Sequence, residues 1–220
     1  MRSLSLFVVV FAGVIFMSFE GRPAGGPEIT SLPQPNLKGT LSVEEALARR
    51  RSIRSFNKEK LTTEEISQLL WAAQGITQER TGFRTAPSAG ALYPLEVYLV
   101  TEDGLFHYIP RGHRLETLGS SDLRGELARA ALGQSSVREA AADIVVTAIY
   151  SRITKKYGQR GVRYAHIEVG HLGQNIHLQA VALGLGSVSI GAFHDDQVRK
   201  VLSLPEEEVP LYIIPVGHPR

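Results

Sequence analysis

Two far-apart segments carry the residue types best suited to chemistry. Arg50-Arg51-Ser52-Ile53-Arg54-Ser55-Phe56 gathers cationic forks beside a hydroxyl. Pro87-Ser88-Ala89-Gly90-Ala91-Leu92-Tyr93-Pro94 is a small-residue stretch between two prolines, open enough for a flat ligand to approach its backbone. Together they suggest one pocket that binds a phosphate and an aromatic ring. If the helix that begins near Ser42 runs to Arg51 and beyond, Arg50 and Arg54 share a face and Arg51 lies close to it. Arginine forks suit bidentate phosphate contacts. The other reading is a basic helix end, complementary to Glu44 and Glu45 at the start of the same helix.

Lys156-Tyr157 places an ammonium beside a phenol, a pair able to act as acid or base when burial shifts its pKa values. Arg152, Lys155 and Arg160 surround it, so these residues on their own read as a solvated loop. Seven histidines invite a metal reading, and His166, His171 and His177 share one helical pattern. His166 and His177 point the same way but stand about 16 Å apart at the helical rise. His171 is rotated away from both, and no metal site is expected. A serine hydrolase reading lacks a Gly-x-Ser-x-Gly elbow. Gly184-Leu185-Gly186 follows a helix and lacks the third glycine, so it is not a dinucleotide fingerprint.

The elements that must position these residues can be read from periodicity and caps. Ser42-Val43-Glu44-Glu45 and Thr62-Thr63-Glu64-Glu65 are capping boxes that open two helices, to about Arg51 and to Gly75. Residues 76–94 read as a loop. Leu95 to Thr101 and Leu105 to Ile109 read as strands joined at Asp103-Gly104. A helix follows from about Asp122 to Leu132, and Ser136-Val137-Arg138-Glu139 offers a third capping box. Asp143 to Tyr150 reads as a strand. Val162 to Leu183 is the longest helical pattern, with Gly170 and Gly173 inside it, as a close helix crossing between subunits would require. Ser187 to Ala192 and Val209 to Gly217 read as strands, with a short helix capped by Asp195 between them. Helices and strands mix without strict alternation, which favours an α+β fold.

A chain of 220 residues, 43% hydrophobic and 21% charged, fits one domain with a tail. A net charge of +2 does not suggest a nucleic-acid partner. With no cysteine, disulfides, thiolate catalysis and iron–sulfur clusters are excluded. Arg2 precedes an apolar run from Leu4 to Phe19, so residues 1–20 read as a signal peptide or membrane anchor, and the chain as exported or membrane-anchored. A mis-assigned start, leaving a cytoplasmic protein, is the alternative. Residues 21–40 are rich in Pro and Gly and read as a linker, leaving 41–220 as the functional domain.

In combination and in order, these segments resemble the FMN-dependent nitroreductase family. Within it they are similar to the SagB-type branch, dehydrogenases that oxidise azolines to azoles in peptide natural products. The matching stretches are the two opening segments, Arg163-Tyr164, Glu168-Val169-Gly170-His171-Leu172-Gly173-Gln174-Asn175, Gly184 to Phe193, and Ile213-Ile214-Pro215-Val216-Gly217. The resemblance implies a three-layer sandwich with a mostly antiparallel central sheet, built as an intertwined homodimer with FMN at the interface. It implies that Arg50, Arg51 and Ser52 hold the FMN phosphate and that Arg54 sits by the pyrimidine edge. It brings Pro87, Ser88, Ala89 and Gly90 to the flavin from the partner subunit, and the Gly191 N–H near flavin N5. Arg220 stands where a longer family tail supplies phosphate contacts. Lys156 and Tyr157 match the pair linked to proton abstraction in azoline oxidases. The implied activity is hydride transfer to or from flavin N5, on a small-molecule or peptide substrate, with NAD(P)H as a possible reductant. A flavin-binding module without turnover is the alternative.

Overall fold

The computed structural model describes residues 28–220. Nine strands and seven helices follow the order β1 (Ile29–Ser31), α1 (Val43–Arg49), α2 (Thr63–Gln74), β2 (Ile76–Gln78), β3 (Phe83–Arg84), β4 (Leu95–Thr101), β5 (Gly104–Ile109), β6 (Arg114–Gly119), α3 (Arg124–Ala130), α4 (Ser135–Glu139), β7 (Ala142–Ile149), α5 (Ser151–Tyr157), α6 (Arg160–Ala182), β8 (Gly186–Ser187), α7 (Asp195–Leu202) and β9 (Glu208–Gly217). Seven strands form one antiparallel sheet in the order β1-β6-β5-β4-β7-β9-β8, and β2 and β3 form a separate small hairpin.

Period-two alternation makes the sheet two-faced. Leu95, Val97 and Leu99 of β4, with Ile144 and Val146 of β7, point to one face. There they meet Leu69, Leu70 and Ala73 of α2 and Ala165, Val169, Leu172 and Ile176 of α6. Tyr98, Val100 and Val145 point to the other face, against Leu127 of α3, Val137 of α4 and Val198 and Leu202 of α7. The result is the expected α+β arrangement of three layers, helices on both sides of an antiparallel sheet.

Several local expectations need correction. The first two capping boxes close as read: Ser42 with Glu45, and Thr62 with Glu65. Ser136 does not cap; it lies inside α4, whose N-cap is Gln134. The first helix ends at Arg49, and from Arg50 the chain runs extended, where Ser52 bridges Ser187 and Phe56 bridges Pro219. Part of the expected linker is structure: β1 pairs with β6, and Leu32 is buried in the core. A buried relay holds this segment, because Ser67 Oγ donates to Pro33 O at 2.6 Å and lies 2.7 Å from His113 Nε2. The Tyr108 hydroxyl lies 2.8 Å from His113 Nδ1, so both ring nitrogens are engaged.

The expectation of export or membrane anchoring is also corrected. Among the described residues, no helix is long and apolar enough to cross a membrane. The apolar run over residues 1–20 lies outside the described residues.

Candidate active site

The segment after α1 is extended because Arg50 leaves the helix at φ −52°, ψ 121°, and Ile53 N–H then donates to Ser187 O at 3.0 Å. Alternation now decides which arginines share a side. Arg50, Ser52 and Arg54 alternate with Arg51 and Ile53. Ile53 packs on Gly186, where a Cβ would sit 2.7 Å from the Ile53 side chain, so only glycine admits this approach. Arg51 turns back and donates through Nη1 to Ala48 O at 3.0 Å and Arg50 O at 2.7 Å, which caps the end of α1. Arg50 and Arg54 make no ion pair among the described residues.

Behind this segment lies His177 of α6. Its Nδ1 is 2.7 Å from Ser187 Oγ and its Nε2 is 2.9 Å from Ser189 Oγ. Burial, and then the nearby Arg50 charge, push its pKa down, so the ring is neutral at pH 7. Gly191 follows at the surface, where a Cβ would meet only Tyr212, at 3.7 Å. The Arg220 backbone N–H reaches Ser55 O at 3.3 Å, and its guanidinium pairs with Glu139 at 3.3 Å.

The Pro87–Pro94 loop and the Lys156-Tyr157 pair meet. The pair sits on helix α5, not on a loop, and that helix follows β7 directly. Arg152, one turn earlier, pairs with Glu96 and reaches Tyr93 O, which ties α5 to the end of the loop. Gly90 has φ +65°, and a Cβ there would stand 2.8 Å from Tyr157 Oη and 3.1 Å from Lys156 Nζ. The loop therefore needs glycine at this point both for its turn and for the room the pair takes up. Tyr157 packs edge-on against Tyr164, with centroids 5.2 Å apart. Pro87, Ser88 and Ala89 line a cavity of ≈ 300 Å³ together with Tyr164, Ile167, Glu168 and His171.

Glu168 is the residue that reading for motifs overlooked. It is 1% exposed, and neither carboxylate oxygen has a hydrogen-bond partner. Burial pushes its pKa up to about 7; Ser88 and Gln74 lie near enough to draw it back in part, though neither closes a full hydrogen bond, and Arg84 adds a weaker pull. The available signal was a carboxylate on the apolar stripe of α6, three residues after Ala165 and four before Leu172.

The three α6 histidines stand in separate settings. His166 lies 2.6 Å from the Tyr150 hydroxyl, His171 lies 3.4 Å from Pro87 O, and His177 faces its two serines. The two glycines in the middle of α6 differ from one another. Gly173 faces inward, with Tyr212 3.4 Å from where its Cβ would be, while Gly170 opens to the surface.

The sequence matches the nitroreductase family over residues 47–218. The chain belongs to that family. It is 44% identical, over 80% of its own length and 91% of the relative's, to a protein of Methanocaldococcus jannaschii assigned as a nitroreductase. It is 31% identical to the microcin B17-processing protein McbC of Escherichia coli, over 72% of this chain and 62% of that protein. Among solved structures, a nitroreductase-assigned protein of Ralstonia eutropha JMP134 superposes with a TM-score of 0.80 at 30% identity, covering 87% of this chain and 90% of that one. The NADPH:FMN oxidoreductase of Vibrio harveyi, complexed with NAD+, superposes at 0.61 and 25% identity, covering 80% of this chain and 68% of that one.

Proposed function

We propose that this nitroreductase-family chain is an FMN-dependent oxidoreductase of the SagB-like kind, acting on a substrate that loses or gains a hydride and a proton together. The observation that carries the reading is the meeting of Lys156 and Tyr157 with Gly90, which sets an acid–base pair against the loop expected to face the flavin. The kinship with McbC, a protein named for processing a peptide, supports a peptide or azoline-like substrate.

The residues present fit FMN. Arg50 and Arg54 are cations with no carboxylate partner among the described residues, and Ser52 lies between them with its hydroxyl exposed. Such a set suits a phosphate. Arg51 would add to the local potential without being a direct ligand in this conformation. Pro87, Ser88, Ala89 and Gly90 offer small, accessible backbone for a flat ring, and the Gly191 N–H borders an open surface. Bound FMN would supply hydride transfer at N5. Lys156 Nζ or Tyr157 Oη would take the substrate proton, and Gly90 leaves room for both groups. NAD(P)H is the proposed reductant where the substrate is an acceptor.

A homodimer belongs to the same proposal. Ile167, Gly170, His171 and Gln174 are exposed at helical spacing on α6, and an apolar Ile167 with no side chain at 170 suits close contact. Sedimentation of flavin-loaded protein as a monomer would remove this part. The flavin reading is tested by the absorbance spectrum of the purified protein, with mass spectrometry of the released ligand. Yellow protein releasing FMN supports it. Protein that stays colourless with added FMN sinks it.

A further inference from the structure

The Pro87–Pro94 loop is held by a polar chain that ends at Gln74, beside Glu168. Tyr93 N–H donates to Ser88 Oγ at 2.9 Å, and Ala91 N–H donates to Ser88 O at 3.0 Å. The Tyr93 hydroxyl accepts from Arg84 N–H at 3.1 Å, and the Arg84 guanidinium lies 4.4 Å over the Tyr93 ring. Arg84 Nη1 donates to Gln74 Oε1 at 3.0 Å. Gln74 Nε2 then remains a buried donor with no acceptor, and the Glu168 carboxylate beside it is a buried acceptor with no donor. Ser88 also keeps its hydroxyl proton free. Ala91 and Tyr93 both sit at positive φ without being glycine, at 52° and 47°. Such a backbone persists only where its surroundings hold it.

We propose that Glu168 is a positioning residue for this loop: its neutral carboxyl lets Pro87–Gly90 close over it, and loss of its proton, which leaves a buried charge short of donors, loosens them. As a step in flavin chemistry this rests on the reading above; as a property of the loop it does not. The groups facing the carboxylate explain the direction. From α2 comes Gln74, from β3 Arg84, and from the loop Ser88, while Tyr93 lies against Arg84. Tyr164 and His171 lie along α6 itself, and Glu96 and Arg152 stand beyond Arg84. Burial outweighs these donors and the one cation, so the closed loop favours the neutral carboxyl, and opening to water favours the charged one. With a pKa near 7, the loop loosens as pH rises through neutrality.

Hydrogen exchange at the Ala91 and Tyr93 amides reads this directly, since both donate to Ser88. After correction for intrinsic chemical rates, ligand-free protein should show at least about threefold more protection at about pH 6 than at about pH 8. E168Q, which keeps the shape and loses the charge, should show the low-pH protection at both. Wild-type protection that ignores pH overturns the proposal, even if E168Q fails to fold. A profile that survives in folded E168Q also overturns it. FMN affinity should follow the same pH profile. If FMN does not bind while exchange still tracks Glu168, the flavin reading falls and the latch stands. If FMN binds and exchange is flat, the latch falls and the flavin reading stands.

Discussion

The Arg51 guanidinium donates to two carbonyls at the end of α1, whereas Arg50 lies near enough for its charge to act on His177 and has no carboxylate partner among the described residues. The two should respond differently to truncation. Arg50→Ala should weaken FMN by about tenfold or more, as loss of a charged hydrogen bond worth roughly 1.5–3 kcal/mol implies. Arg51→Ala should cost less affinity and more helix stability. A flavin titration with thermal melts of both variants checks this, and equal losses of affinity would refute the division. Lys156→Ala and Tyr157→Phe should slow substrate oxidation by about 100-fold or more, the scale of general acid–base catalysis, and leave FMN affinity intact. Single-turnover flavin reduction and equilibrium titration separate the two effects; loss of flavin in either variant would make the pair a cofactor element. At this scale the arginines and the Lys-Tyr pair were legible in residue type, but their roles were not. Which arginine faces outward depends on where α1 stops, and the cap at Arg50 has no signature in the sequence.

The loop between β3 and β4 meets helix α5 at the Lys156-Tyr157 pair, and Gly90 is the point of contact. Gly90→Ala would force a side chain into positive φ and push against Tyr157 Oη and Lys156 Nζ. The ends of those side chains can move, so the cost falls on their placement. Turnover should drop by about tenfold or more, while the thermal midpoint shifts by only the roughly 1 kcal/mol that αL strain implies. Steady-state rates beside a melting curve check it; an unchanged rate would show that the pair is not held by this contact. The strong helices α2 and α6 and the strands β4, β7 and β9 could be read from periodicity. Besides α5, the segments missed were β1, β2, β3 and β6, strands whose pairing is not written in their own pattern.

For the molecule as a whole, the sheet carries an ionisable group in its interior. Asp143 of β7 is fully buried, and neither oxygen has a partner. Burial holds its pKa well above the usual carboxylate range, with Arg124 opposing weakly. A raised folded-state pKa favours the fold below the unfolded value near 4, and that stability is lost as pH rises toward the folded value. Asp143→Asn removes the titration, so its advantage over wild type should widen as pH rises above about 4, by roughly 2–4 °C in Tm per kcal/mol. A difference in Tm that stays constant with pH would refute this. The pairing of β1 with β6 reaches further. Residues 28–36 act as a cover strip on the rim of the sheet, and their attachment runs through His113 and Ser67. A chain shortened to begin at residue 41, the boundary the composition favours, would lay β6 bare as a template for a second molecule. It should scatter light and associate edge to edge on concentration, whereas a chain beginning at residue 28 should stay clear. Placing the boundary of this domain is thus a question of aggregation as much as of folding.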